Sequence, residues 1–187
     1  MITLYVIRHG QTDWNIENRL QGSTDIPLND VGIKQAQESA LKLKNIYFDF
    51  IISSPLKRAF ETANQVNKYH NVEILSDNQL KERFFGDLEG KTTEDLNNMN
   101  FSIHPLLDYN DNCDKYNVEK IQDLFSRMEN FILDIKNKYQ NKTILISTHN
   151  GIAQVLDVIL NNLPKTTNLL DVGFKNCEYR RYIINES

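Results

Sequence analysis

Ile2-Thr3-Leu4-Tyr5-Val6-Ile7 runs into Arg8-His9-Gly10, and Thr143-Ile144-Leu145-Ile146-Ser147 runs into Thr148-His149-Asn150-Gly151. Both leading runs are short, apolar and rich in β-branched residues, the pattern of a strand buried on both faces. Each is followed by a histidine with a glycine one residue on (Gly10) or two residues on (Gly151), where the glycine lets the backbone turn and approach a ligand closely. Two further runs read the same way, Asp49 to Ser53 and Val72 to Leu75.

Helical periods lie between these strands. Asn29 is placed to cap a helix over about 30–46, with Val31, Ala36, Ala40, Leu43 and Tyr47 near one face. Ser54-Pro55 reads as an N-cap and a first-turn proline ahead of Leu56, Ala59, Phe60, Ala63 and Val66. Val118, Ile121, Leu124, Phe125, Met128, Phe131, Ile132 and Ile135 give the clearest helix. Ile152, Val155, Leu156, Ile159 and Leu160 give the last. Residues 8–29 read as a loop with one helical turn. Leu169 to Phe174 and Cys177 to Ile184 read as two final strands. Strands alternating with helices predict an α/β layered domain with a mostly parallel sheet.

The length of 187 residues fits one domain spanning 1–187. Its least regular part, about 84–117, reads as a variable, substrate-covering insert, with only Thr92 to Met99 helical. Lys and Arg total 21 against 25 Asp and Glu, a net charge of −4, which argues against a nucleic-acid binder. No apolar run approaches a membrane span, and no secretory signal is read before Arg8. Two isolated cysteines, Cys113 and Cys177, offer neither a disulfide framework nor a structural metal site. A cytoplasmic protein is expected, with no nucleic acid or membrane partner and a monomeric or homodimeric state.

In parallel sheets, ligands sit beyond the carboxyl ends of the strands. The residues there are Arg8 and His9, then Arg58 in the first turns of its helix, then His149 and Asn150. Two arginines and two histidines on one sheet edge suit a phosphate monoester, which carries about −1.5 to −2 charges near neutral pH. Arginine's planar fork matches its oxygens. Two unit charges about 4 Å apart interact by roughly 4 kcal/mol at an effective dielectric near 20, so a small cationic pocket can hold phosphate on an acidic body. A neutral imidazole is a competent nucleophile. A general acid must hold its proton near neutral pH, and Glu82, in the irregular segment Lys81 to Gly86, is the candidate, with Glu89 a competitor in the same loop.

These residues carry a resemblance. Arg8-His9-Gly10-Gln11-Thr12, with Asn15 three residues on, resembles the signature of the histidine phosphatase superfamily, phosphoglycerate mutase-like branch. The match continues through Arg19 to Gly22, Asp25 to Leu28, Gly32, Gln35-Ala36, Ser53 to Ala63, Leu80 to Gly90 and Ser147 to His149. The resemblance implies a three-layer α/β/α sandwich. It implies that His9 becomes the phosphohistidine intermediate while Arg8, Arg58 and His149 grip the phosphate. Glu82 would protonate the leaving oxygen and later activate water. Asn15, Gln21 and Gly22 would line the same pocket, with no metal and no cofactor. Asn150 stands where many relatives have glycine, and its amide is a candidate substrate contact or a helix cap. The Gly-Glu-Ser of many relatives is degraded here to Tyr116-Asn117-Val118-Glu119.

The expected function is hydrolysis of a small phosphorylated metabolite by a metal-independent phosphatase, a phosphoric monoester hydrolase. The alternatives are a cofactor-dependent phosphoglycerate mutase and a catalytically silent phospholigand-binding domain. The stretch between Glu82 and His149 is short and largely helical, which leaves little material to exclude water and favours the phosphatase. His70 reads as a solvated helix-end residue, His104 as a loop residue, both cysteines as inert thiols and Trp14 as packing. Arg180 and Arg181 read as one edge-facing and one solvent-facing charge.

Overall fold

A computed structural model describes residues 1–101, 107–109 and 116–185. The elements in order are β1 (Ile2–Arg8), α1 (Asp13–Ile16), α2 (Asp30–Leu43), β2 (Phe50–Ser53), α3 (Lys57–Asn67), β3 (Ile74–Ser76), α4 (Thr93–Asn98), α5 (Ile121–Lys138), β4 (Thr143–Thr148), α6 (Asn150–Leu160) and β5 (Tyr179–Ile184). The sheet order is β3-β2-β4-β1-β5. The first four pair in parallel, and β5 closes the edge antiparallel to β1.

The central strands are apolar throughout because both faces are covered. On one face Leu4, Val6, Ile144 and Ile146 pack with Leu124, Phe125, Met128 and Phe131 of α5 and Ile152, Val155 and Leu156 of α6. On the other, Ile7, Ile51 and Leu145 pack with Ala40 and Leu43 of α2 and Ala63 and Val66 of α3. This is the three-layer sandwich expected. Asn29 caps α2 as read, its side chain accepting from the Gly32 N–H at 2.9 Å.

Several local readings are corrected. Leu169 to Phe174 is not a strand: Leu169–Val172 is a 3₁₀ turn, begun where the Asn168 side chain accepts from the Leu170 N–H, and the sheet edge beside β1 is already taken by β5. α3 starts at Lys57 rather than at Pro55. Its Lys57 N–H is received by Asp25 Oδ1 at 2.7 Å, from a loop far away in sequence. Val31 and Tyr47 are 49% and 75% exposed, so the buried stripe of α2 is narrower than its period suggested. His70 packs edge-on against Phe48, with ring centroids 4.9 Å apart, and burial pushes its pKa down. Arg180 is pinned to Asp157 at 3.1 Å and Glu178 at 3.0 Å and stacks 4.0 Å above the Phe174 ring. Part of the expected insert, including His104 and Cys113, lies outside the described residues.

Candidate active site

The parallel register decides the site. Arg8 pairs with Thr148, and the His9 N–H donates to the Thr148 carbonyl at 2.9 Å, so the next residues of the two strands, His9 and His149, are neighbours. Their ring centroids lie 5.2 Å apart, close to the spacing of adjacent strands. β2 lies on the other side of β4, and the chain leaving it brings Ser54 and then Arg58 to the same edge. A cavity of about 220 Å³ opens there. Its lining includes Arg8, His9, Asn15, Gln21, Gly22, Arg58, Glu82 and Asn150, and His149 stands directly behind it against the His9 ring.

Both histidines are buried, and their pKa values are pushed well below 6.5 by burial first and then by the neighbouring Arg58 and Arg8 charges. Both are therefore neutral at pH 7. The His9 Nδ1 lies 2.7 Å from the Gly10 carbonyl, which only accepts, so Nδ1 carries the proton and Nε2 keeps its lone pair. His149 is wired the other way: its Nε2 lies 2.8 Å from Ser54 Oγ, and its Nδ1 is buried without a partner.

The two arginines are held by carbonyls rather than carboxylates. Arg8 Nη1 donates to Phe174 O at 2.5 Å. Arg58 is fully buried, and its Nη1 and Nη2 donate to Thr24 O at 2.8 Å and Gly22 O at 2.7 Å. Desolvation lowers the pKa of each, with the Glu82 charge opposing it. The Nε groups of both are buried without partners. Two guanidinium charges facing the single Glu82 carboxylate in the cavity, with N–H donors left unpaired, suit an anion, because a buried donor is costly until something accepts from it.

Glu82 lines the same cavity, accepting from the Arg83 N–H at 2.8 Å and from the Gly151 N–H at 3.2 Å, one turn from His149. Glu89 does not reach the cavity: five donors from Ser23, Thr24 and Phe85 fill its carboxylate. Asn15 Oδ1 accepts from the Thr12 N–H at 3.1 Å and from Asn176 Nδ2 at 3.3 Å, which fixes the turn after His9. Asn150 Oδ1 accepts from the Phe174 N–H at 3.0 Å. The Gln21 Oε1 is buried without a partner.

The structure adds residues that sequence reasoning passed over. Ser54, read as a helix cap, accepts from the Leu56 N–H at 3.3 Å and also holds His149. Thr62 accepts from the Gly10 N–H at 3.1 Å, and Phe174 anchors Arg8. Ser54 and Thr62 sit inside the matched stretch Ser53 to Ala63, so the signal was present without its meaning. Leu169 and Leu170 in the cavity wall carried none. Trp14 lies against Gly90, where a Cβ would fall 3.2 Å from its ring. Among the described residues no three His, Cys, Asp or Glu side chains stand together to hold a metal, and no helix is long and apolar enough to cross a membrane.

A sheet edge with two neutral histidines, two buried arginines and a carboxylate defines a phosphate-handling α/β enzyme. The chain matches the family model described as histidine phosphatase superfamily (branch 1) over residues 4–186, and it belongs to that superfamily. It is 35% identical over 182 residues to a Bacillus subtilis (strain 168) protein named uncharacterized phosphatase PhoE, covering 96% of this chain and 89% of the relative. Bacillus stearothermophilus YhfR superposes with a TM-score of 0.89 at 27% identity, over 99% of this chain and 92% of that one. A phosphoserine phosphatase from Entamoeba histolytica, solved in complex with 3-phosphoglyceric acid, superposes with a TM-score of 0.84 at 32% identity, over 98% and 91%. The family and these phosphatase relatives make the protein a phosphomonoester hydrolase.

Proposed function

We propose that the protein hydrolyses small phosphomonoesters in two steps through a phosphohistidine on His9, without a metal. The observation that carries this reading is the His9 ring itself. It is neutral, with its Nδ1 proton committed to the Gly10 carbonyl and its Nε2 lone pair free, and it lies within reach of the Arg58 and Arg8 charges, whose Nε donors are unpaired. The phosphoryl oxygens take those donors, and the two guanidinium charges supply the neutralisation that a metal supplies elsewhere. His9 Nε2 attacks phosphorus as the P–O ester bond breaks, and the leaving oxygen takes a proton from Glu82. The Glu82 carboxylate then takes a proton from water, whose oxygen attacks phosphorus. The P–N bond breaks, and inorganic phosphate leaves. His149 holds the phosphoryl oxygens across from His9, its orientation set by Ser54.

Asn15, Gln21, Gly22 and Asn150 line the substrate side of this reading. The chain acts as one domain, with 84–117 forming part of the cover, which Phe85 and Leu107 in the cavity wall support. The substrate is a small phosphorylated metabolite and the compartment the cytoplasm, which a buried, unpaired Cys177 fits. Hydrolysis of an aryl phosphate in the presence of a chelator tests the reading, together with acid-labile phosphate labelling of the intact protein and of His9→Ala. Turnover and labelling should both vanish in the variant; labelling that persists would move the nucleophile elsewhere. Product analysis with 3-phosphoglycerate and a bisphosphoglycerate primer separates hydrolysis from isomerisation, and inorganic phosphate is the expected product.

A further inference from the structure

We propose that Glu89 is a positioning residue for catalysis that acts through Arg58, an inference that rests on the phosphate site described above. Its carboxylate receives the Ser23 N–H at 2.9 Å, Ser23 Oγ at 3.1 Å and the Phe85 N–H at 3.2 Å on one oxygen. The other receives the Thr24 N–H at 2.9 Å and Thr24 Oγ1 at 2.5 Å. The turn from Gly22 to Thr24 is thus folded around one half-buried carboxylate.

The link to Arg58 is a single peptide plane. The Ser23 N–H and the Gly22 carbonyl belong to the same planar unit and point in opposite directions. The N–H faces Glu89, and the carbonyl accepts from Arg58 Nη2 at 2.7 Å. Thr24 is held differently, across two planes: its N–H, in the plane shared with Ser23, goes to Glu89, and its carbonyl, in the plane shared with Asp25, accepts from Arg58 Nη1 at 2.8 Å. A negative charge on the donor side of such a unit polarises it and strengthens its carbonyl as an acceptor. Glu89 therefore polarises and fixes the Gly22 carbonyl through its own plane and holds in place the residue that carries the second, Thr24, and so fixes where the unpaired Arg58 Nε points.

The packing admits no alternative at the turn. Gly22 has φ +52°, and a Cβ there would fall 2.0 Å from Glu89 Oε1. A side chain at position 22 would adopt a strained left-handed backbone and push the Glu89 carboxylate aside. The other charged contact at the turn is Asp25, which receives the Lys57 N–H at the start of α3 and lies 3.6 Å from Lys57 Nζ. It docks the turn on the helix but does not touch Arg58's acceptor carbonyls.

The test is the Glu89→Gln variant of the full chain, alone and combined with Arg58→Lys, whose single ammonium cannot span both carbonyls. Steady-state hydrolysis of an aryl phosphate and inhibition by inorganic phosphate are measured in each. Glu89→Gln alone should raise both KM and the phosphate inhibition constant by about tenfold while kcat changes less than about threefold. In the Arg58→Lys background it should add less than about twofold, because interacting residues are not additive. Unchanged phosphate inhibition, or equal losses in both backgrounds, would overturn the proposal. If Glu89→Gln does not fold, Thr24→Val, which deletes one hydroxyl donor to the same carboxylate, should raise the phosphate inhibition constant about two- to threefold, and no change there overturns it equally. An unmodified protein that neither turns over aryl phosphate nor binds inorganic phosphate would sink the phosphatase reading itself, a result distinct from any of these.

Discussion

The turns after β1 and β4 each carry a histidine followed closely by a glycine, His9-Gly10 and His149-Asn150-Gly151, and stand side by side, yet they treat their histidines oppositely. His9 spends Nδ1 on a backbone carbonyl, which can only accept, so the tautomer is fixed and Nε2 stays open. His149 spends Nε2 on the Ser54 hydroxyl, which can donate or accept, and leaves Nδ1 without a partner. The difference teaches that sequence pattern places an imidazole, whereas the partner of its second nitrogen assigns its work. On the proposed reading the first ring serves as nucleophile and the second as a phosphate-holding group whose tautomer can adapt to the ligand's oxygens.

The comparison breaks most decisively at His9. His9→Ala should lower kcat/KM by at least about 10³-fold and abolish phosphoenzyme, read by steady-state kinetics and labelling. His149→Ala should cost about 10²- to 10³-fold yet still form acid-labile phosphoenzyme in single-turnover experiments, since it removes a donor and not the attacking atom. If both variants lose labelling alike, the division of labour drawn here is wrong. Ser54→Ala should cost about tenfold and act on His149 alone, so combining it with His149→Ala should add little further loss.

Acidity sharpens the same contrast. Both rings are held neutral in the fold, with pKa values well below 6.5, while the unfolded chain protonates them near 6.5. Between those limits the unfolded state binds more protons, so stability should fall as pH drops below about 6.5 and be recovered above it, as denaturant titrations at stepped pH would show. The free-enzyme imidazole limb of the kcat/KM profile should likewise lie well below pH 6.5; a limb at or above that value would mean that His9 is charged when substrate arrives. The smallest effect belongs to Asn150→Gly. That change removes the acceptor of the Phe174 N–H, and so slackens the segment that anchors Arg8; a KM rise of about two- to fivefold with little change in kcat is expected.

Much of this was legible in the chain. Apolar runs ending in charged residues announced the parallel sheet, and its carboxyl edge announced where Arg8, His9, Arg58 and His149 would meet. What escaped was whatever depends on partners distant in sequence. Ser54 looked like a cap because serine before proline usually is one; only the register of β2 against β4 turns its hydroxyl toward His149. Leu169 to Phe174 alternated like a strand, but whether the sheet has room for it is a property of β5. Glu82 was preferred as the acid with Glu89 as its competitor, but what Glu89 binds emerged only when the turn at Gly22 claimed it.

The loop after His9 meets the start of α2 through two residues without side chains. A methyl group on Gly10 would fall 2.4 Å from the Gly32 carbonyl oxygen, and one on Gly32 would fall 2.1 Å from the Gln11 carbonyl oxygen. Backbone rests on backbone there, so nothing compressible cushions the contact. A whole helix thereby serves as the anvil for one imidazole, and a single added carbon at either glycine would be felt at Nε2 before it was felt in the core.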